Sequence, residues 1–143
     1  MLVEQIAVFV ENKPGRLAAI TKILADNKIN IRALSVADTA DFGILRLIVD
    51  NPQKAAKCLQ DGGFTVVVTE VVAIEVEDRI GGLATVLGHL ADAGVSVEYM
   101  YAFVNRSGEN AIIISRFEHM DNAVKVLEGT GVKLVSKEQI YSM

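Results

Sequence analysis

The chain has 143 residues, with 18 acidic and 14 basic side chains for a net charge of −4, and about half of its residues are hydrophobic. No apolar run reaches the roughly 18 residues a membrane span needs, and the single cysteine, Cys58, excludes an internal disulfide or a cysteine-cluster metal site. Residues 1–71 carry 8 Lys/Arg against 8 Asp/Glu and residues 72–143 carry 6 against 10, so no basic stripe exists for a nucleic-acid backbone.

The N-terminal stretch "MLVEQIAVFVE" has acidic residues at Glu4 and Glu11 and no basic region ahead of an apolar one. It does not read as a signal peptide, and a cytoplasmic product is expected. Residues 4–10 alternate, with Ile6, Val8 and Val10 on one face and Ala7 and Phe9 on the other, which predicts a strand. "VENKPGRL" (10–17) then breaks the strand at a Pro-Gly turn. Residues 16–28 follow with Leu17, Ile20, Ile23 and Leu24 at helical spacing. "INIRALSV" and "GILRLIVD" read as strands joined by the turn-rich "ADTADF". Asn51 and Pro52 open a second helix that runs through Leu59 and ends at Gly62-Gly63. "FTVVVTE" closes the unit as a fourth strand.

The pattern then repeats. "ENKPGRLAAITKILADNKINI" from Glu11 lies against "EDRIGGLATVLGHLADAGVSV" from Glu77, with Leu17 on Leu83, Ile20 on Val86, Leu24 on Leu90, and Ile29 and Ile31 on Val95 and Val97. After a short insertion in the second copy, Ala55, Lys57 and Leu59 meet Ala123, Lys125 and Leu127. Two copies account for the chain. The reading is an α+β protein of two ferredoxin-like βαββαβ repeats, 1–70 and 71–143, each an antiparallel sheet with helices on one face. "FTVVVTEVVAIEVE" (64–77) is too long for one ordinary strand of ~5–6 residues. It predicts the last strand of the first copy running almost directly into the first strand of the second, with the two domains packed together.

The turn at Pro14-Gly15 precedes a helix N-terminus, whose first N–H groups have no partner within the helix. Those donors and the helix dipole suit a carboxylate or another small anion. Gly15 permits close backbone approach, Pro14 fixes the local backbone, and Asn12 offers both donor and acceptor. Asn30, ahead of the second strand, is expected at the same end of the sheet, so that together they form a pocket for a small zwitterion. A plain strand-to-helix turn with a solvated helix start is the competing reading.

The "ENKPGRL…NI" arrangement on a βαββαβ unit resembles the ACT domain, a small-molecule-binding regulatory module of amino-acid metabolism. The resemblance covers roughly 3–70 and 72–141, and it implies a regulatory, allosteric protein without a catalytic domain. It further implies an amino acid bound at interfaces between such domains in a homodimer, and an amino-acid biosynthetic enzyme as partner. In ACT domains that bind serine, an Asn before the turn and another at the start of the second strand contact the ligand; these correspond to Asn12 and Asn30. The implied ligand-binding set is Asn12, Lys13, Pro14, Gly15, Arg16, Leu17, Asn30 and Ile31, with Asp78, Gly81, Gly82, Leu83 and Ser96 in the second copy. That copy departs from the pattern, since Asp78 replaces the first Asn, Ile80 the Pro and Ser96 the second Asn.

A small ferredoxin-like enzyme of the acylphosphatase kind is the rival from another class, with Arg16 and Asn12 near an anion-binding turn. Neither turn gathers a nucleophile with a base. No catalytic residue, metal or cofactor is assigned, and neither a nucleic acid nor a membrane is an expected partner. Tyr99, Tyr101 and Phe103 lack the Lys/Arg cluster that RNA binding on this topology needs and read as packing or interface residues. His89 occupies the place of Ile23 and reads as a partly buried or interface histidine; His119, in "EHMDN", reads as solvated. Cys58 reads as a small hydrophobic filler. Arg32 and Arg46 mark either a polar sheet face or an interface.

Overall fold

The computed structural model describes residues 2–38, 42–104 and 110–143. Its elements are β1 (Val3–Glu11), α1 (Arg16–Asp26), β2 (Ile31–Asp38), β3 (Phe42–Val49), α2 (Pro52–Asp61) and β4 (Thr65–Glu77). Then come α3 (Gly82–Asp92), β5 (Val97–Val104), β6 (Asn110–Phe117), α4 (Met120–Gly129), β7 (Lys133–Val135) and α5 (Lys137–Tyr141). Residues 39–41 of the connection predicted at 37–42 lie outside the described residues, and its ends belong to β2 and β3. The chain forms two compact units, one of Glu4–Thr69 with Glu138–Met143, the other of Glu70–Lys137 with the N-terminal residues through Val3. The stretch expected to hold two strands in succession is a single strand, β4, whose first residues belong to one unit and the rest to the other.

In the first unit the strand order is β2-β3-β1-β4. The antiparallel register sets Ile6 opposite Leu47, Val8 opposite Leu45 and Glu11 opposite Phe42, while Ile31 of β2 faces Val49. Period-two alternation delivers Ile6, Val8 and Val10 of β1 and Leu45, Leu47 and Val49 of β3 to one face. Ile20 and Leu24 of α1 and Ala55 and Leu59 of α2 close over them. Each buried Leu or Ile contributes roughly 1.5–3 kcal/mol. Phe9 points the other way and is exposed, as the alternation requires. Leu17 does not join the core: it stands in the first turn of α1 and is 43% exposed. The Asn51 side chain caps α2 by accepting the Lys54 N–H at 3.2 Å, with Pro52 just inside the helix.

The C-terminal α5 has no counterpart in the first repeat. Ile140 is fully buried. The Tyr141 phenol oxygen accepts the Glu4 N–H at 3.0 Å, and Arg32 Nη2 donates to the Tyr141 carbonyl at 3.0 Å.

In the second unit β6 lies between β5 and β4, and β7 pairs with β4 on its other side. Its core repeats the first: Val72, Ile74 and Val76 of β4, Ile113 and Phe117 of β6, Val86 and Leu90 of α3, Ala123 and Leu127 of α4. Both units therefore have the ferredoxin-like order in which the first strand is central. The local backbone repeats as well. Gly15 and Gly81 start α1 and α3 in the left-handed region with φ of 85° and 84°, and the bond from Asp50 N–H to the Asn30 carbonyl at 3.1 Å recurs between Glu118 and Ser96 at 3.1 Å.

Candidate functional site

Each strand-to-helix turn is built by short-range backbone bonds. Lys13 N–H reaches back to the Glu11 carbonyl at 2.8 Å and Arg16 N–H to the Lys13 carbonyl at 3.4 Å; the second turn has Arg79 on Glu77 at 2.9 Å and Gly82 on Arg79 at 3.1 Å. No side chain caps either helix, so first-turn N–H groups remain available as donors. At Gly15 and Gly81 an added Cβ would meet nothing within 4 Å. Glycine is needed there for its positive φ rather than for crowding. Gly82 differs, because a Cβ there would come within 2.4 Å of the Glu77 carbonyl oxygen.

The cations of the first turn are held by Glu11, with Lys13 Nζ at 3.0 Å and Arg16 Nη2 at 3.9 Å. The hydrogen bond from Lys13, then the charges of Lys13 and Arg16, lower the Glu11 carboxyl below its ordinary value. In the second turn Arg79 Nε lies 2.5 Å from Glu77 Oε2. The role of Glu11 and Glu77 in anchoring these cations is the feature sequence reasoning missed, although a carboxylate two residues before Lys13 and before Arg79 was visible.

Asn12, Lys13, Pro14, Gly15, Arg16 and Leu17 are all exposed on the first turn, and Asp78, Gly81 and Leu83 on the second, where Gly82 is buried. Asn30 and Ser96 are exposed ahead of β2 and β5, and Ile31 is half-buried. The side chains of Asn12 and Asn30 have no hydrogen-bond partner among the described residues; Asn30 is tied only through its backbone, to Asp50.

The expectation that Asn12 and Asn30 share one end of the sheet is corrected by the register. Glu11, beside Asn12, is level with Phe42 at the start of β3, whereas Ile31, beside Asn30, is level with Val49 at its end. At ~3.3 Å per residue the two ends of β3 stand about 23 Å apart. The cause is the crossover: β1 and β2 run parallel, so α1 must carry the chain back to the start of β2. Glu77 opposite Asn110 and Val97 opposite Phe117 separate Asp78 from Ser96 in the same way. Within one repeat the register brings together the turn residues, and not the turn with Asn30 or Ser96.

Among the described residues no group of three or more His, Cys, Asp or Glu side chains is placed to hold a metal ion. No described helix is long and apolar enough to cross a membrane.

The family model described as "ACT domain pair" matches residues 1–143. Among solved structures, protein BT0572 from Bacteroides thetaiotaomicron is 43% identical, with a TM-score of 0.94 over 100% of this chain and 98% of that one. The ligand-free regulatory subunit of aspartate kinase from Thermus thermophilus is 16% identical, with a TM-score of 0.66 over 90% of this chain and 93% of that one. The corresponding subunit from Thermus flavus is 15% identical, with a TM-score of 0.62 over 92% and 94%. No curated protein matches the chain. With two βαββαβ units, a left-handed glycine turn at the head of each, and a family match along its whole length, the chain belongs to the ACT domain pair family.

Proposed function

We propose that this protein is a non-catalytic regulator that binds an amino acid between ACT domains of two copies of the chain. The observation that carries the reading is the pairing of an uncapped helix start at Gly15 with two asparagine side chains, Asn12 and Asn30, that have no internal partner. An α-carboxylate suits the helix N–H donors, and the asparagines suit the ammonium and carboxylate groups. Because Asn12 and Asn30 lie at opposite ends of one sheet, an amino acid touching both needs Asn12 from one protomer and Asn30 from another. A homodimer is therefore part of the proposal.

Arg16 is drawn toward Glu11 at 3.9 Å, which favours binding over phosphoryl chemistry at this turn. The fold shared with a regulatory subunit of aspartate kinase makes an amino-acid biosynthetic enzyme a fitting partner. A ligand regulates only through its different affinities for two states, so the response is a shift in dimer packing or in affinity for that enzyme.

The test is a thermal-shift screen against the standard amino acids, with Asn12→Ala and Asn30→Ala alongside. Ligand at ~100 times its Kd adds about 2.7 kcal/mol, and with about 0.3 kcal/mol/K of unfolding entropy for a chain of this length the Tm rises by about 9 °C. The rise should vanish in both variants. A shift that survives in both removes the two asparagines from the site.

A further inference from the structure

The solvent side of α3 is built unlike that of α1, α2 or α4. Exposed on α1 are Arg16, Lys22 and Asp26, on α2 Lys54, Lys57 and Asp61, and on α4 Asp121, Lys125 and Glu128. From Gly82 to Ala91, α3 has no charged residue. Val86 and Leu90 turn into the second core, and helical spacing sets Ala84, Gly88 and Ala91 on the opposite side, where all three are exposed. Leu83, 39% exposed, and half-buried Leu87 border that side. The Thr85 hydroxyl is used internally, donating to the Gly81 carbonyl at 3.0 Å.

Two features of this face are unfavourable for the chain on its own. Gly88 sits mid-helix, where glycine lowers the helix-forming equilibrium about four- to fivefold relative to alanine. An added Cβ there would meet nothing within 4 Å, and its φ is not positive. Neither crowding within the chain nor a left-handed backbone therefore calls for glycine at this place. Asp92 is the second feature. In the first repeat the matching Asp26 is held by Lys22, one turn before it, at 2.8 Å. In the second repeat Gly88 stands in the place of Lys22, and the Asp92 carboxylate has neither an ion pair nor a hydrogen bond among the described residues. It is left at the negative end of its own helix, while the positive end has no acidic residue and no side-chain cap.

We propose that this face of α3 docks against the same face of a second copy of the chain, the two helices antiparallel and crossing at Gly88. A two-fold axis through Gly88 sets Asp92 of each copy opposite Ala84, in the uncapped first turn of the other. Each free carboxylate then meets the positive end of a helix. A parallel pairing would bring the two Asp92 carboxylates together. Glycine on the axis lets the helices approach to the short end of the roughly 8–10 Å range for packed helices, with Leu83 and Leu87 covering one flank. The 11 residues of α3 give a face about 16 Å long and about 10 Å wide, well short of the roughly 800 Å² per partner of a standard interface. The contact is accordingly weak by itself. It uses neither Asn12 nor Asn30 and forms without a ligand.

The test is oxidative crosslinking without added amino acid, in a Cys58→Ser background so that an introduced cysteine is the only one. Gly88→Cys should form a disulfide-linked dimer, because facing Cα atoms of helices this close fall within the roughly 4.4–6.8 Å that a disulfide spans. Lys57→Cys, exposed on α2, is the control and should crosslink at least about tenfold more slowly. Adding Asn12→Ala should leave the Gly88→Cys rate unchanged. Sedimentation velocity over a concentration series reads the same contact without crosslinking. Gly88→Glu sets two carboxylates against each other on the axis and should move self-association to at least about tenfold higher concentration. The variant folds, since the position is exposed with open space around it and glutamate is the better helix former, and circular dichroism checks this. The proposal is overturned if Gly88→Cys crosslinks no faster than Lys57→Cys, or if folded Gly88→Glu associates as the parent does. It is also overturned if Asn12→Ala abolishes the crosslink, which would tie the association to the first turn.

Discussion

Replacing Tyr141 by Phe removes one oxygen from the contact that holds the C-terminal helix on the first unit. The ring stays, so the burial of Ile140 and the bond from Arg32 Nη2 to the Tyr141 carbonyl are kept; what goes is the acceptor for the Glu4 N–H at 3.0 Å. A hydrogen bond of this kind contributes about 0.5–1.5 kcal/mol net. Glu4 is half-buried and water can partly replace the phenol, so a loss of about 1 kcal/mol is expected, or roughly fivefold in a local opening equilibrium. Native-state hydrogen exchange at the Glu4 amide measures it directly. The pH dependence gives a second reading. Burial, the largest cause, raises the Tyr141 phenol above its ordinary value near 10, with the Glu4 N–H acting the other way. A folded-state pKa above the unfolded one means that the stability from the neutral phenol is fully present below about pH 10 and is lost as pH rises through the folded value. The parent protein should therefore lose more stability than Tyr141→Phe on the alkaline side, the other tyrosines being common to both. Equal Glu4 exchange and equal alkaline loss in the two proteins would refute the fastening of α5 through this oxygen.

Gly82→Ala forces a Cβ against the Glu77 carbonyl oxygen, a backbone atom that moves only if the turn opens. The first repeat has Arg16 at that place and a looser turn bond, 3.4 Å against 3.1 Å, so the expected cost is an accommodated strain of about 1–3 kcal/mol. It should appear as a lower urea midpoint at unchanged slope, and an unchanged midpoint would show the clash to be absent. Ser115, fully buried on β6 where the first repeat has Leu47, has no hydrogen-bond partner for its hydroxyl. Ser115→Ala should raise stability by about 1 kcal/mol by removing a desolvated polar group, and a comparable loss would mean that the hydroxyl has a partner after all.

The repeat was legible because packing constrains it twice. Ile20 and Val86, Leu24 and Leu90, and Leu59 and Leu127 occupy matching places on matching helices, and each had a periodicity that could be read without coordinates. The turns were legible too, since Pro14-Gly15 breaks the strand ahead of a helical pattern, but the left-handed backbone at Gly15 and Gly81 came only with the structure. The placement of Asn30 was not. Its position depends on which end of a parallel crossover the chain returns to, a property of topology rather than of the residues around it. Helix α5 was invisible for a different reason: "KEQIY" is short, its only buried residue is Ile140, and with no counterpart in the first repeat, internal comparison had nothing to match it to. The exposure of Leu17 has a local cause, because the first turn of a helix that starts at a sheet rim reaches past the strands its later turns cover.

The two repeats also differ outside the core. Where the first repeat has Asn12, Pro14 and Asn30 the second has Asp78, Ile80 and Ser96, and Ile80 stands fully exposed, so the second turn carries an apolar tip and no amide. At the places of Phe9, Ile23 and Phe42 the second copy has Glu75, His89 and Asn110. These changes fall at separate places, the turn in one case and the flank of α3 with the β4 edge in the other. On the reading that the first turn holds the ligand, Asn12→Ala should weaken amino-acid binding more than Asp78→Ala does, and equal losses in calorimetric affinity would give the two turns equal shares in the site.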